Sequence, residues 1–234
     1  MDEGWFNATL DEQYELIKTL KSNDDTQIHV LRHRTLGRDM VKRVYKGTGE
    51  VYKLLRSLAH PNIVNVYEVF TGSDYTVVLE EYINGQTVAE VLETGLYHPR
   101  GVIHIVHALC DALEILHTKG IIHRDIKPEN IMIDETGTVK LIDFDAAKLY
   151  KSYKSDDTRI MGTAGYAAPE QFGLAQSDER TDIFALGVLM NVMLTGSHPS
   201  KKLYSGKLKS IIEKCIQTNP GKRYQSVTQL QENL

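Results

Sequence analysis

Apolar residues in the first part of the chain come in short alternating or continuous bursts broken by polar turns, the pattern of strands. Tyr14 to Leu20, Gln27 to His33 and Asp39 to Tyr45 are such bursts, separated by Ser22-Asn23-Asp24-Asp25 and by Thr35-Leu36-Gly37. From Gly49 to Leu58 the spacing changes: Val51, Leu54, Leu55 and Leu58 recur at helical intervals, and His60-Pro61-Asn62 ends the run. Two further strands are predicted, Ile63 to Thr71 and Tyr75 to Tyr82, with Gly72-Ser73-Asp74 as the turn between them. Past Asn84-Gly85 the texture becomes helical, over Val88 to Glu93, Val102 to Lys119, Thr181 to Leu194 and Leu208 to Gln217. The short runs Ile131 to Ile133 and Val139 to Ile142 read as a small hairpin among these helices. A strand-rich front and a helix-rich back predict an α+β chain of two lobes, about 14–82 and 87–234, joined at a hinge near 83–86. A crevice at such a junction is the expected ligand site.

Composition narrows the function classes. With 234 residues, 41% hydrophobic and 25% charged, the chain has enough interior for a real core. A formal net charge of -4, with scattered Lys and Arg, gives no reason to expect a nucleic-acid partner. Cys110 and Cys215 each sit in an apolar helical stretch and read as buried thiols, which suits a reducing compartment. No basic-then-apolar leader opens the sequence, and the run Ile183 to Leu194 is interrupted by Asn191 and too short to span a bilayer. The expectation is a cytoplasmic protein with no membrane segment.

The chemistry concentrates in His123-Arg124-Asp125-Ile126-Lys127-Pro128-Glu129-Asn130, a loop between a helix and the hairpin. Phosphoryl transfer asks for a carboxylate that orients and deprotonates the attacking hydroxyl, a cation against the phosphate, and oxygen ligands for Mg²⁺. Asp125 suits the first role, Lys127 the second and Asn130 the third. Asp143, at the end of a hairpin strand in Leu141-Ile142-Asp143-Phe144-Asp145, suits a second metal ligand. A lone Asp is more often a surface charge or a helix cap. The joint pattern is far harder to reach by accident.

These segments resemble the catalytic loop and the Asp-Phe-Gly element of protein kinases. Further similarities follow in order. Gly162 to Glu170 resembles the substrate-docking loop with its Ala-Pro-Glu element, and Asp182 and Gly187 resemble the Asp and Gly of the buried helix after it. Arg223 resembles the arginine that pairs with the Ala-Pro-Glu glutamate. Lys127 and Thr163 look like the serine/threonine branch, and the wording from Gly165 to Gln171 is similar to bacterial members. The resemblance spans about 14 to 230 and implies a bilobal kinase that uses ATP and Mg²⁺ on protein substrates. It implies Glu81 and Ile83 as backbone partners of adenine, Glu80 at the back of the pocket, and Ile28, Met40 and Met132 around the ring. It also implies that Arg124 can bind a phosphorylated residue of the activation segment, where Ser152, Tyr153, Ser155 and Thr158 are candidates and Asp156 and Asp157 an unmodified alternative.

The departures from the family pattern are local. Lys21, Asn23 and Thr26 stand where the phosphate-covering loop should carry glycines, and Lys and Thr tolerate the required backbone poorly. Met40-Val41-Lys42-Arg43-Val44 resembles the family's Ala-x-Lys strand with Lys42 in the lysine's place, whereas an ungapped match from Gly37 gives Arg43. Alternation sends the two to opposite faces, so only one can enter the pocket. Lys42 is expected, because Met40 then also points inward. Counting back from Pro61 puts Val51 at the helix glutamate's place, one step from Glu50, which could serve or could be merely solvated. Asp145 replaces the glycine after Phe144 and could add to the metal site. The leading expectation is an active serine/threonine kinase working through Asp125, Lys127, Asn130, Asp143 and Lys42. A pseudokinase acting as a binding or scaffold module is the alternative, and a small-molecule phosphotransferase, lacking the docking loop, is the third.

Overall fold

The computed structural model describes residues 9–10, 12–150, 163, 165–172 and 176–234. The chain forms two compact units, Met1–His60 with Val64–Asn84, and Pro61–Ile63 with Gly85–Leu234.

The first unit is an antiparallel sheet in the order β1-β2-β3-β5-β4, from β1 (Tyr14–Ser22), β2 (Thr26–His33), β3 (Asp39–Tyr45), β4 (Val66–Thr71) and β5 (Thr76–Glu81). Its strands follow the alternation read from the sequence, and cross-strand register sorts them into two faces. On one face Met40, Val44, Phe70, Val77 and Leu79 gather with Leu10, Tyr14 and Tyr75. The other face carries Ile28, Val41, Arg43, Tyr45, Val78 and Glu80, as the pairs Ile28↔Arg43, Arg43↔Val78 and Val41↔Glu80 require. Helix α1 (Glu50–Leu55) belongs to this second face, where the Tyr52 ring lies 5.5 Å from that of Tyr45. The helix is entered through Gly49, whose φ of 67° would strain any other residue and whose missing Cβ leaves room for Thr76 at 2.8 Å. Apolar spacing predicted a longer helix. The chain leaves it at Arg56, before the His60-Pro61 stop.

In the second unit β6 (Gly85–Thr87), β8 (Ile131–Asp134) and β9 (Val139–Leu141) form one small sheet, and β7 (Ile121–Ile122) pairs with β10 (Lys148–Leu149) in another. The helices are α2 (Val88–Thr94), α3 (Pro99–Thr118), α4 (Glu179–Thr195), α5 (Lys209–Cys215) and α6 (Val227–Gln231). Thr87 and Glu90 make a capping box that starts α2, and Asp178 with Thr181 does the same for α4. Helix α3 starts earlier than its apolar periodicity suggests, because Pro99 takes the first turn and the His98 ring accepts from the Arg100 amide. By length and composition α3, 20 residues with hydropathy 1.2, could cross a membrane; Val102, Val106, Leu109, Leu113 and Leu116 are fully buried against this unit. Helix α4 is apolar all round and central, with Ile183, Leu186, Leu189, Met190 and Met193 at 0% exposure. Gly187 lets α5 approach it, since a Cβ there would meet the Cys215 side chain at 2.5 Å.

The strand predicted from Ile63 begins only at Val66. Residues 61–63 instead join the second unit: Asn62 donates to the Val139 carbonyl at 2.7 Å and accepts from Leu141 N–H, and Ile63 bridges to Leu141.

Candidate active site

The loop from His123 to Asn130 is held from beneath by α4. The buried Asp182 carboxylate accepts the amides of Arg124 (2.8 Å) and His123 (3.0 Å) and the His117 ring (2.8 Å). Burial by itself would raise this carboxyl, but the bonds from His117 and His123 outweigh it and hold Asp182 below the usual carboxylate range. His123 is fully buried, its ring edge-on to Phe144 with centroids 4.8 Å apart. Its Nδ1 accepts from the Asp125 amide and its Nε2–H faces the Ile142 carbonyl, an arrangement that demands a neutral ring. Burial accordingly lowers the His123 pKa. Arg124 has a φ of 65°, a conformation rare for a non-glycine residue, and is fixed by Nε–H donating to Ala146 O and by Gln171 donating to its carbonyl.

Asp125 is thereby presented to a compact polar set. Lys127 Nζ lies 2.8 Å from its Oδ2, Asn130 Nδ2 donates to the same oxygen at 2.9 Å, and Thr163 donates Oγ1–H to Oδ1 at 2.7 Å. Thr163 also accepts from Lys127 at 2.7 Å, which closes a ring of three side chains. Burial pushes the Asp125 carboxyl up, but the bonds from Lys127 and Thr163 prevail and leave it lowered, anionic at neutral pH.

Asn130 spends its amide nitrogen on Asp125, on both the carbonyl (2.8 Å) and Oδ2, so its side-chain oxygen is turned the other way as a hard acceptor. Ile142 N–H donates to Asn130 O at 3.0 Å, which sets Asp143 on the backbone next to Asn130. Asp143 has a φ of 62° and accepts from the Asp145 amide at 3.3 Å. Among the described residues no three His, Cys, Asp or Glu side chains cluster as a metal cage. One amide oxygen and one carboxylate suit Mg²⁺, which takes few protein ligands and completes its shell with water and phosphate. Asp145 is half-buried beside them.

Glu170 and Arg223 form a bidentate buried pair, 2.7 and 2.9 Å, as the resemblance implies. Gly162, Ala164 and the activation-segment candidates Ser152, Tyr153, Ser155, Asp156, Asp157 and Thr158 lie outside the described residues.

In the first unit one expectation is corrected. The family's lysine pairs with a glutamate of the following helix, so it stands on the helix-bearing face of its strand. Arg43 stands on that face. Lys42 lies on the opposite face between His29 and Leu79, and Met40 packs there in the Leu10, Val77 and Leu79 cluster. The register is shifted by one residue from the one expected, and the ungapped match from Gly37 was the signal that gave it. Arg43 is 3% exposed and its Nε is 3.3 Å from the Glu80 carboxylate, itself 4% exposed. Ile28 stands opposite Arg43 and shares its face, not that of Met40 and Lys42. Glu50 is exposed at the first helical position, while Val51 is buried. Glu81 donates its amide to Asn65 O and accepts from Asn65 on its side chain, and Ile83 is buried. In the second unit Met132 is half-buried on β8 opposite Thr87. The β1–β2 turn is a plain hairpin: Asn23 Oδ1 accepts the amides of Asp25 (3.1 Å) and Thr26 (2.8 Å), which occupies N–H groups that a phosphate-covering loop would offer.

Comparison with known proteins agrees with this architecture. Residues 21–233 match the protein kinase domain. A probable serine/threonine-protein kinase of Clostridium perfringens is 34% identical over 81% of this chain and 30% of its own length. The serine/threonine-protein kinase PknB of Mycobacterium tuberculosis is 29% identical over 96% of this chain and 43% of its own. PrkC of Bacillus subtilis is 30% identical over 80% of this chain and 31% of its own. This chain therefore spans less than half the length of these curated relatives. With its catalytic loop, its Glu170–Arg223 pair and a match across nearly all of its residues, the chain belongs to the protein kinase domain family.

Proposed function

We propose that this chain transfers the γ-phosphate of ATP to serine or threonine hydroxyls of proteins. The observation that carries the reading is the closed set of Asp125, Lys127 and Thr163, with Asn130 at its edge. Asp125 orients the incoming hydroxyl and accepts its proton as the new P–O bond forms and the bond to the β-phosphate oxygen breaks. A lowered carboxylate pKa favours orientation of the nucleophile and late proton acceptance over early abstraction. Lys127 neutralises charge on the phosphoryl oxygens while tied to the same carboxylate. Asn130 and Asp143 would hold Mg²⁺, which would supply neutralisation of the phosphate charge when bound. Cys110 and Cys215 are buried free thiols, and burial pushes Cys110 up to about 12, which suits a reducing, cytoplasmic setting.

A second reading, a nucleotide-independent binding module, is favoured by the Asn23-capped turn and by Val51 in the helix glutamate's place. Transfer of radiolabelled phosphate to a generic protein substrate and to the chain itself separates the two. Under the kinase reading Asp125→Asn keeps the fold and nucleotide binding and loses about 10²-fold or more in transfer. Near-wild-type transfer by that variant, or no transfer by the unaltered chain, overturns it.

A further inference from the structure

A cavity of about 360 Å³ lies in the second unit, walled by the C-terminal end of α3, the β7–β10 pair and the start of α4. Its lining includes His117, Gly120, Tyr150, Glu179, Arg180 and Gln225, none of which has a role in phosphoryl transfer above. His117 is the informative wall. Its side chain is 5% exposed, and its Nε2 lies 2.8 Å from Asp182 Oδ2. The Asp182 carboxylate also accepts the amides of His123 and Arg124, so the bond to His117 uses Nε2–H. In the neutral ring Nδ1 then carries a lone pair. That atom is buried, and among the described residues nothing donates to it. A buried acceptor without a donor is costly, and one in a cavity wall points to a ligand that brings the hydrogen.

The other walls decide the charge of that ligand. Arg180 is already neutralised: its Nε donates to both oxygens of Asp178 at 3.1 Å, and its Nη1 donates to Gln225 Oε1 at 3.2 Å. Glu179, in the first turn of α4, is half-buried and takes no hydrogen bond among the described residues. With Asp178 and Arg180 cancelling, Glu179 leaves the cavity net negative. An anion would meet both that charge and the His117 lone pair, whereas a cation gains from each. Tyr150, tied by its amide to Gly120 O at 2.7 Å, adds an aromatic ring. The volume stands at the small end of ligand sites, room for a molecule of about amino-acid size.

We propose that this cavity binds a compact organic cation, whose N–H donors go to Glu179 and to His117 Nδ1 with the Tyr150 ring beside them. A guanidinium suits it best, since it presents several N–H groups in one plane and packs on aromatic rings. The group belongs to a free small molecule or to an arginine side chain of a peptide. Because His117 touches Asp182, which holds the His123 and Arg124 amides, the occupant stands one side chain away from the catalytic loop.

The test is calorimetric titration of the purified chain with agmatine, with a short arginine-containing peptide and with inorganic phosphate. Ring resonances of nitrogen-15-labelled histidine are followed alongside. Agmatine or the peptide is expected to saturate with a Kd of about 1 mM or tighter, and to shift the His117 ring nitrogens along the same curve. Phosphate should do neither. Glu179→Gln, checked for fold by circular dichroism, should weaken binding at least about fivefold through loss of a charge-assisted hydrogen bond. Tyr150→Ala should weaken it about threefold, and Tyr150→Phe, which keeps the ring, should stay within about twofold of the unaltered chain. A peptide about tenfold tighter than agmatine assigns the cation to a polypeptide, and equal or weaker binding assigns it to a small molecule. No saturation by either probe up to about 50 mM, affinity that Glu179→Gln leaves unchanged, a His117 ring that does not respond, or phosphate binding instead would each overturn the proposal. Turnover is not read. Failure here leaves the kinase reading standing, and loss of Asp125-dependent transfer leaves this site standing.

Discussion

Replacing Arg223 by Ala should be among the most damaging single changes in the second unit, and the structure says why. The guanidinium donates from Nη1 and Nη2 to the two oxygens of Glu170 at 2.7 and 2.9 Å. It also donates from Nε to Gln217 O, from Nη1 to Arg180 O and from Nη2 to Thr218 O. Its side chain is 0% exposed and that of Glu170 5%. Truncation leaves Glu170 a buried carboxylate with, among the described residues, the Thr181 hydroxyl at 3.0 Å as its remaining side-chain donor, a loss of roughly 3–5 kcal/mol. Arg223→Lys keeps the charge but has three donors for five acceptors, so about two hydrogen bonds are lost, roughly 1–3 kcal/mol. The penalty of Arg223→Ala is mostly an orphaned charge, so Glu170→Gln in the same chain should return part of it. The double variant should be less unstable than the sum of the singles by about 1–3 kcal/mol. Urea unfolding followed by far-ultraviolet circular dichroism measures all four proteins. A cost below about 1 kcal/mol for Arg223→Ala, or strict additivity with Glu170→Gln, would refute the reasoning, because a solvated surface pair behaves in that way.

Two further outcomes follow from the loop above α4. His123 is buried neutral with a lowered pKa, so below its unfolded value near 6.5 the unfolded chain binds a proton that the folded chain refuses. This group's contribution is complete above that pH and is lost as pH falls through it, by up to about 1.4 kcal/mol per pH unit. Unfolding midpoints at pH 7, 6 and 5 should show the decline, and His123→Phe should flatten it; an unchanged slope would count against a buried neutral ring. Asp182→Asn substitutes an amide donor for one of two oxygens that each face a backbone N–H, at a cost of roughly 2–4 kcal/mol. It should also accelerate amide hydrogen exchange at His123 and Arg124, and unaltered protection there would show that the loop is held by something else.

Much of this was readable from the sequence, for reasons that differ between the units. Strands β1 to β5 were readable because their apolar residues come in short bursts between polar turns, although β1 is exposed along most of its length and β5 is buried on both faces. Asp125, Lys127 and Asn130 meet in the structure because they share one short loop, and the bond from Ile142 N–H to Asn130 O sets Asp143 beside Asn130 on the backbone. What escaped was geometry at the scale of one residue. In Met40-Val41-Lys42-Arg43 both registers place a cation on the inner face, and composition cannot choose between them; the sheet chooses through Leu10, which gathers Met40 and Val44 on the far side. Strands β7 and β10, two residues each, are too short to carry a periodicity. The membership of residues 61–63 depends on Asn62 reaching Val139, a partner 77 positions away. The contact between Glu80 and Arg43 was not readable, since a diagonal cross-strand pair needs the register first.

The departures in the first unit are coherent when taken as a set. A carboxylate at position 80 would be costly to bury alone, and so would a guanidinium at position 43 once Val51 has replaced the helix acid. Arg43 Nε and Glu80 Oε1 stand 3.3 Å apart, so neither charge is buried alone. From the helix side, Val51, Tyr52 and Leu55 form the buried face of α1, while Arg56 at its C-terminal end reaches Glu68 of β4 at 2.9 Å, so the helix is tied to the sheet by apolar packing and by a half-exposed ion pair.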